Sequence, residues 1–406
     1  MNLSLHDPTT FGAGVPYDEF RRLRDTDPVS RHTHPTLGSY YAIARHADVL
    51  AVSRDSHTWS NQPHPIPDIG TTDPDAPGDG SNGGLSELLI SKDPPEHTKL
   101  RKLINRGFTP RRVADLTERI EARVNAIIDS LRDQRSCDLV TDLALWLPLH
   151  VIADLVGVPE DDRAHVFELT ELTFGFDATV TAEQRGEAAM AMYAYADGMV
   201  RDRLGEPRDD LMSVLAHAEV EGEKLTDFQL AMFFMLLQNA GSETTRNLIT
   251  TGTLALLQHP DQLQRIRDDV SILPVAIEEL LRYVTPVMTF MRRATVDTEV
   301  GGVPIKLGER VMMLYASANR DERAFTEPDS IDVTRTPNEH VAFGAGGPHF
   351  CLGASLARLE AKIMFETILT RFEGLAIDGD LATFPRVHSN LIDGYANAPI
   401  TWTSIV

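Results

Sequence analysis

Hydrophobic positions recur at intervals of three and four residues over most of this chain. Between residues 116 and 221 this spacing is almost continuous, which is typical of amphipathic helices. The longest single helix is expected to begin after Thr226, a good helix cap, and to end at His259 and Pro260. Its first half is apolar on nearly all sides, as in a helix that passes through the middle of a protein. The pattern therefore predicts a mainly α-helical fold with one central helix.

A smaller part of the chain alternates between apolar and polar residues. Residues 284–321 and a shorter stretch at residues 38–44 show this alternation with turn residues between, which is typical of strands. Residues 63–84 are rich in proline and glycine and predict either a spacer or a loop that covers a binding site. Since no stretch looks like a linker between autonomous units, residues 1–406 are interpreted as one domain, mainly α with a smaller β-rich region.

Cys351 lies between a glycine-rich loop and a further amphipathic helix. Apolar residues at Leu352, Leu356, Leu359 and Ile363 give that helix one buried face. A cysteine at a helix start faces free backbone amides and the positive end of the helix dipole, so its thiolate form is expected to be favoured. Glycines let a large flat group approach the backbone, which makes the thiolate a candidate metal ligand. The alternative is a buried cysteine without a chemical role.

Composition narrows the classes of partner and compartment. The chain has 60 acidic and 38 basic residues and a formal charge of −22, which disfavours nucleic acid and anionic membrane surfaces. Only two cysteines are present, so a reducing cytoplasm is expected. The N-terminus lacks the pattern of a signal peptide, and the longest apolar run, residues 230–237, is far shorter than the roughly 20 residues that span a membrane. We therefore expect no membrane anchor.

Two pairs of polar residues have spacings that suit specific chemistry. His97 and Arg101 are four residues apart after an Asp-Pro-Pro helix start, and two donors on one face can bind a carboxylate. Glu243 and Thr244 interrupt the apolar run of the long helix, where a carboxylate beside a hydroxyl can relay protons and where a local distortion is expected. Taken alone, the His97–Arg101 pair is more typical of a solvated helix face, and the Glu243–Thr244 pair is more typical of a bent core helix with a solvated glutamate.

The string FGAGGPHFCLG resembles the haem-binding loop of the cytochrome P-450 superfamily. Phe343, Gly346, His349, Cys351 and Gly353 supply the residue types of that signature. The loop departs from the common form by one additional residue between the second glycine and the basic residue. This lengthened form is similar to the loop of some actinobacterial enzymes that act on sterol side chains and methyl-branched lipids.

The resemblance implies the cytochrome P-450 fold and a haem b whose iron is bound by Cys351. His97, Arg101, Arg292 and His349 are expected to meet the haem propionates. The full set of implied cofactor-binding residues is His97, Arg101, Ala240, Gly241, Arg292, Phe343, Gly344, His349, Cys351 and Gly353. Glu243 and Thr244 correspond to the catalytic acid-alcohol pair. A structural network behind the loop is implied for Glu279, Arg282 and Arg335. His349 is expected to reach a propionate while the additional loop residue bulges outward.

The resemblance also implies the reaction and its partners. It predicts a monooxygenase that hydroxylates an unactivated C–H bond of a hydrophobic small molecule with O2 and with electrons from a ferredoxin and its reductase. Sterols, terpenoids and branched fatty acids are the favoured substrates. Residues at the lid end, in the helical region and in the strands are weaker candidates for substrate contact, namely Leu85, Leu88, Phe174, Val287, Met288 and Ile392. We expect a cytoplasmic monomer.

Three alternative functions remain open from the sequence alone. The first is a hydroxylase or epoxidase that tailors a polyketide or another natural product. The second is a peroxide-using haem-thiolate enzyme, which the Glu243–Thr244 pair disfavours because such enzymes tend to lack it. The third is a non-enzymatic haem-binding or lipid-binding protein.

Overall fold

The computed structural model describes residues 3–66, 85–105, 107–175, 179–219 and 222–406. Helices dominate these ranges. They are α1 (Tyr17–Thr26), α2 (His46–Arg54), α3 (Glu96–Ile104), α4 (Pro110–Ala114), α5 (Thr117–Ser130), α6 (Trp146–Val156), α7 (Arg163–Phe174), α8 (Ala182–Gly205), α9 (Leu211–Ala216), α10 (Asp227–Gln258), α11 (Pro260–Asp268), α12 (Leu273–Val284), α13 (Tyr315–Ala318) and α14 (Ala354–Arg371).

The strands are short and form several small sheets. They are β1 (Val29–His34), β2 (Gly38–Ile43), β3 (Trp59–Ser60), β4 (Ser136–Asp138), β5 (Thr289–Ala294), β6 (Thr298–Val300), β7 (Val303–Ile305), β8 (Arg310–Leu314), β9 (Phe372–Glu373), β10 (Ala376–Ile377), β11 (Pro399–Thr401) and β12 (Ser404–Ile405). One sheet has the order β1-β2-β8-β5-β3, with β2 and β8 parallel and its other neighbours antiparallel. The prediction of a mainly α protein with a smaller β-rich part is confirmed.

The central helix α10 has the predicted bounds. Thr226 caps it through a reciprocal pair of hydrogen bonds with Gln229, and the helix continues for 32 residues to Gln258. It packs against α6, α8, α12 and α14, so helices surround it as its apolar first half predicts. The expected distortion near Gly241 does not break the helix, although the Ser242 and Thr244 hydroxyls both donate to carbonyls four residues back.

Two other sequence expectations change. The helix after the cysteine begins at Ala354 rather than directly at Leu352, because the intervening residues form a turn. The C-terminal residues 389–402, whose sequence also predicts a hairpin with its tip near Ile392, form no regular hairpin. This region makes two isolated bridges, one from Ile392 to the distant Val287 and one between Arg386 and Tyr395 nearby in the chain, so a distant segment and local pairing together set its register.

One helical stretch within the described ranges, Leu139–Val156, is long and apolar enough to cross a membrane by length and composition. However, 67% of this stretch is buried inside the protein. The stretch contacts α10, α5 and α7. Such burial is typical of a core helix.

Candidate active site

A cavity lies between the middle of α10 and the loop that carries Cys351. Its volume is about 260 Å³. Many of the residues proposed from sequence line it together, although they are spread over more than 250 positions of the chain: His97, Arg101, Ala240, Gly241, Thr244, Val287, Arg292, Phe343, Gly344, His349, Cys351 and Gly353.

The thiol of Cys351 lies deep in the protein, and its accessible surface opens into this cavity. The backbone N–H of Cys351 donates to the Phe343 carbonyl at 2.9 Å, which fixes the end of the loop. Burial raises the pKa of the thiol, and the Gly353 N–H and the cations of Arg101 and Arg358 only partly oppose this. The expected preference for thiolate is therefore wrong for the free side chain, because desolvation outweighs the helix terminus.

Two histidines face each other at one edge of the cavity. The rings of His97 and His349 have centroids 4.1 Å apart. The Nδ1 atom of His97 and the Nε2 atom of His349 are buried and lack a hydrogen-bond partner among the described residues. Burial together with neighbouring arginines lowers the pKa of His97 to about 4 and that of His349 to about 2. This edge therefore holds polar atoms that only an additional group can satisfy.

Two arginines complete this basic edge. Arg101 of α3 donates to the Pro348 and Phe350 carbonyls of the cysteine loop, at 3.4 and 2.6 Å. Arg292 of β5 is buried and donates to the Met291 carbonyl at 2.7 Å, and its charge is one of those that lower the pKa of His349. Cations and unpaired ring nitrogens gathered at one edge provide the donor set that carboxylates require.

Glu243 and Thr244 take different positions on α10. Thr244 faces the cavity, and its hydroxyl donates to the Ala240 carbonyl at 2.9 Å. Glu243 does not line the cavity. Only 2% of Glu243 is exposed, and its carboxylate is hydrogen-bonded to Arg246 one turn further along.

Arg246 also reaches the neighbouring helix. Its Nη1 atom lies 3.3 Å from the Oε2 atom of Glu171 in α7. Burial raises the pKa of Glu243 to about 7, the Arg246 cation opposes this shift, and Glu171 adds to it. A carboxyl group with such a pKa can both give and take a proton near neutral pH.

Glu279 is at the centre of a buried ion-pair network behind the cysteine loop. Its two carboxylate oxygens accept from Nε and Nη2 of Arg282 at 2.8 Å each. Arg335 donates to the same carboxylate at 3.0 Å, and Asn338 at 3.1 Å. Arg282 also binds the carbonyls of Asn319 and Pro328. The network ties α12 to the segment that leads to the cysteine loop, which is the geometry of a structural support.

Several weaker substrate candidates are not among the residues that line the cavity. Leu88 is buried, while its neighbours Leu89 and Ile90 form the wall. Met288 packs into the core cluster formed by the N-terminal region, because successive residues of an extended segment face opposite sides and Val287 takes the cavity side.

The remaining candidates lie elsewhere. Phe174 packs against the main helical core, and Ile392 is buried beside Val287 in an isolated bridge. Leu85 begins a short helical turn, but its side chain and residues 67–84 lie outside the described part. Most of the proline- and glycine-rich loop at residues 63–84, which is a candidate lid, therefore also lies outside the described part.

Other cavity residues were not singled out from the sequence as ligand contacts. Phe233 and Leu237 share one face of α10 with the predicted residues Gly241 and Thr244, at intervals of three or four residues, so helical spacing from Thr244 could have found them. Glu360 occupies the buried face of α14, where a single carboxylate stands out. Other lining residues come from segments without a motif, among them Ser53, Asn61, Phe108, Ile152 and Tyr315, whereas Phe290 lies in the strand region from which the sequence already predicts pocket contacts.

Comparisons with known proteins agree with this geometry. A family model described as Cytochrome P450 matches residues 179–383. The steroid C26-monooxygenase of Rhodococcus jostii (strain RHA1) is 40% identical over 380 residues, covering 92% of this chain and 80% of the relative. The methyl-branched lipid omega-hydroxylase of Mycobacterium tuberculosis (strain ATCC 25618 / H37Rv) is 36% identical over 402 residues, covering 95% and 90%.

A solved structure shares the whole architecture. The bacillaene polyketide synthase cytochrome P450 PksS of Bacillus subtilis 168 has a TM-score of 0.87 and 32% sequence identity, covering 98% of this chain and 99% of its own. The fold and the thiol-lined cavity define a haem-thiolate protein. The chain belongs to the cytochrome P450 family; it is a cytochrome P450 monooxygenase with haem b as its cofactor.

The cavity residues fit this cofactor. The Cys351 sulfur opens into the cavity and would bind the iron, while the glycines beside it leave room for a flat ring. The unpaired ring atoms of His97 and His349 lie beside Arg101 and Arg292 and would receive the two propionates. When bound, haem b supplies the iron centre at which oxygen is activated for insertion into a C–H bond.

Proposed function

We propose that this monooxygenase hydroxylates an unactivated C–H bond of a hydrophobic small molecule, with a sterol, a terpenoid or a branched fatty acid favoured. The proposal includes residues 1–406 acting as one domain, as a monomer in the cytoplasm. In it, Cys351 is the iron ligand, and Glu243 and Thr244 move protons on the side of the cavity formed by α10.

The observation that carries the substrate class is the apolar wall opposite the cysteine loop. α10 contributes Phe233, Leu236 and Leu237 to this wall, and its neighbours contribute Phe108, Ile152, Leu89, Ile90, Val287 and Phe290. Burial of an apolar ligand against such a wall contributes about 25 cal/mol per Å². A charged ligand group would lose its hydration there without gaining a counter-charge from these side chains. The wall therefore favours a ligand that is apolar where it meets α10.

The names of the relatives support the same classes. One relative is named as a steroid C26-monooxygenase and another as a methyl-branched lipid omega-hydroxylase. These names describe enzymes that oxidise a steroid and a methyl-branched lipid. The similar structure named for a polyketide synthase favours a second candidate, namely a hydroxylase or epoxidase that tailors a polyketide or another natural product. Both candidates require an apolar cavity, so ligand identity must separate them.

Thr244 and Glu243 have separate tasks in the proposed reaction. The Thr244 hydroxyl is at the cavity surface, where it can donate a hydrogen bond to a group bound there. Glu243 is one residue away but faces Arg246 inside the protein. Its carboxyl group would deliver protons after a change of side-chain rotamer or through bound water. The Thr244 hydroxyl would then donate its proton to the bound group, and Glu243 would supply the proton that restores the hydroxyl.

The proposed electron donor is an acidic ferredoxin, reduced by its reductase. Lys102 on α3 and Arg111 on α4 are exposed, and Arg101 of the same α3 contacts the cysteine loop. Basic residues next to this loop can guide an acidic partner electrostatically, even though the chain as a whole is acidic. Oxygen is the second co-substrate.

The test has two steps. A spectral screen for ligand-induced spin-state shifts, run over sterols, terpenoids, branched fatty acids and polyketide lactones, identifies the ligand class. Turnover is then measured with ferredoxin, ferredoxin reductase, NAD(P)H and oxygen. Hydroxylated product from a sterol, terpenoid or branched lipid supports the proposal, and product from a polyketide supports the second candidate. Product only with hydrogen peroxide would contradict the proposed electron route.

A further inference from the structure

The lengthened cysteine loop is fastened to the end of α2, a helix about 300 positions earlier in the chain. The Nε–H of Arg54 donates to the Ala345 carbonyl at 3.1 Å, and the Ser53 hydroxyl donates to the Gly346 carbonyl, also at 3.1 Å. Ser53 and Arg54 are the last two residues of α2. Ser53 is only 5% exposed and also borders the cavity.

The loop backbone at Gly347 lies directly against the backbone of α2. A Cβ atom at Gly347 would be 2.5 Å from the Ser53 carbonyl oxygen and 3.1 Å from the Arg54 Cα. The φ angle of Gly347 is +81°, a conformation that favours glycine. Although the other side of Gly347 is exposed, as expected for an outward bulge, this close approach leaves no room for a side chain towards α2.

Donors on the opposite side of the loop hold the rest of it. Arg101 binds the Pro348 and Phe350 carbonyls, and the Phe350 N–H closes the turn on the Gly347 carbonyl at 3.3 Å. Each of the carbonyls of residues 345–348 thus accepts from a named donor. Because these dipoles are fixed, they cannot turn their negative ends towards the cysteine sulfur, where they would oppose a thiolate.

We propose that Ser53 and Arg54 are positioning residues for Cys351. They hold the lengthened loop on α2 so that the sulfur keeps one place and one electrostatic environment at the cavity. This proposal rests on ligation of the haem iron by Cys351 as part of the proposed function. The motif of the loop does not contain these residues, which bind the loop at Ala345 and Gly346, directly before its lengthened part.

The experiment compares Gly347→Ala with Gly302→Ala in the purified haem-loaded protein. Gly302 has a nearly equal φ of +84°, but no atom of the described residues lies within 4 Å of its added Cβ. Both variants therefore place a side chain at a similar positive φ, and only Gly347→Ala pushes the loop away from α2. The readouts are the reduced-carbon-monoxide spectrum, which reports thiolate ligation, and the midpoint potential of the haem.

We expect Gly347→Ala to lower the ratio of thiolate-ligated to non-thiolate form about 5- to 30-fold, and Gly302→Ala to leave this ratio unchanged. Ser53→Ala removes one hydrogen-bond donor without adding bulk. It should move this ratio and the midpoint potential in the same direction as Gly347→Ala does, but by a smaller amount. This milder variant decides the question if Gly347→Ala does not retain haem.

Equal spectra and potentials in Gly347→Ala, Ser53→Ala and Gly302→Ala would overturn the proposal, even if the variants differ in melting temperature. Lower thermal stability with an unchanged spectrum would mean that the contact serves only the fold, which also overturns it. Absence of the thiolate signature from the parent protein would instead refute ligation by Cys351, so the two failures are distinguishable.

Discussion

Glu243 is buried, and its charge depends on two neighbours with opposite effects. Arg246 lowers its pKa and Glu171 raises it, while burial brings the pKa to about 7. Arg246 and Glu171 also contact each other, so the Arg246 guanidinium connects Glu243 on α10 to Glu171 on α7. Movement of α7 would therefore change the electrostatic environment of Glu243.

We expect Arg246→Leu and Glu171→Gln to shift the titration of Glu243 in opposite directions. Loss of the Arg246 cation raises the pKa of Glu243 further, by about one unit or more, and loss of the Glu171 charge lowers it. The pH dependence of product formation should move to higher pH in the first variant and to lower pH in the second. Shifts of the same sign in both would contradict this account of Glu243.

Cys351 is expected to be indispensable for the spectral signature of thiolate ligation. Cys351→Ser removes the sulfur that opens into the cavity and puts in its place a weak oxygen ligand. The reduced-carbon-monoxide band typical of a haem thiolate should disappear. Cys137→Ser is the matched control, because Cys137 is buried in β4 away from the cavity. Persistence of the band in Cys351→Ser would refute the ligand assignment.

Two helices near the cysteine loop, α12 and α14, carry buried carboxylates of different kinds. Glu279 of α12 is fully paired with Arg282 and Arg335. Glu360 of α14 borders the cavity, and its Oε2 atom has no partner among the described residues. Removal of the paired carboxylate leaves buried cations without a counter-charge, whereas burial of the unpaired carboxylate is costly only when that group is ionised.

We expect Glu279→Gln to destabilise the protein by about 3–5 kcal/mol, because it leaves Arg282 and Arg335 without their carboxylate. The control is Glu366→Gln, which breaks the exposed pair with Lys362 at 3.4 Å and should cost less than about 1 kcal/mol. Chemical denaturation of both variants measures the difference. Similar costs would show that the buried network is not a main support of α12.

Glu360 is expected to make stability fall with rising pH. Burial raises its pKa from 4.5 to about 8, so the folded state holds the proton more tightly than the unfolded state. The stabilising contribution of Glu360 protonation is complete below pH 4.5 and is lost as pH rises to about 8. Over this range the free energy of unfolding falls by up to about 1.4 kcal/mol per pH unit. Glu360→Gln should therefore gain stability relative to the parent at pH 8 compared with pH 5. Unfolding at both pH values tests this, and an equal difference would contradict it.

The charge of the whole molecule opposes the proposed donor, since an acidic ferredoxin must approach a chain with a formal charge of −22. The exposed Lys102 of α3 directly follows Arg101, which contacts the cysteine loop. Local attraction must then overcome the net repulsion within a Debye length of about 8–10 Å. The arrangement favours one orientation of the donor over others.

We expect Lys102→Glu to raise the KM for ferredoxin about tenfold at low salt, and this effect to shrink as salt is added. The spin-state shift caused by substrate should not change, because Lys102 is exposed and does not line the cavity. Arg31→Glu, an equal charge reversal on β1, is the control. An equal effect from Arg31→Glu would mean that net charge, rather than the surface near the loop, controls the encounter.

The bounds of α10, the cysteine loop and the mainly helical character were readable from the sequence. Each depends on residues close together in the chain: Thr226 and Gln229 cap α10, and glycines surround Cys351. Capping, periodicity and turn chemistry are local, so a linear pattern contains them. Family resemblance added the residues that meet in the cavity.

Only the tertiary structure decided how distant groups pair and which side chains face the cavity. It turned Glu243 towards Arg246, put Val287 rather than Met288 on the cavity side and brought Ser53 and Arg54 against Gly347. It also raised the pKa of Cys351, where the sequence suggested the opposite. Desolvation and contacts between remote segments depend on the packed surroundings, and these do not exist until the chain has folded.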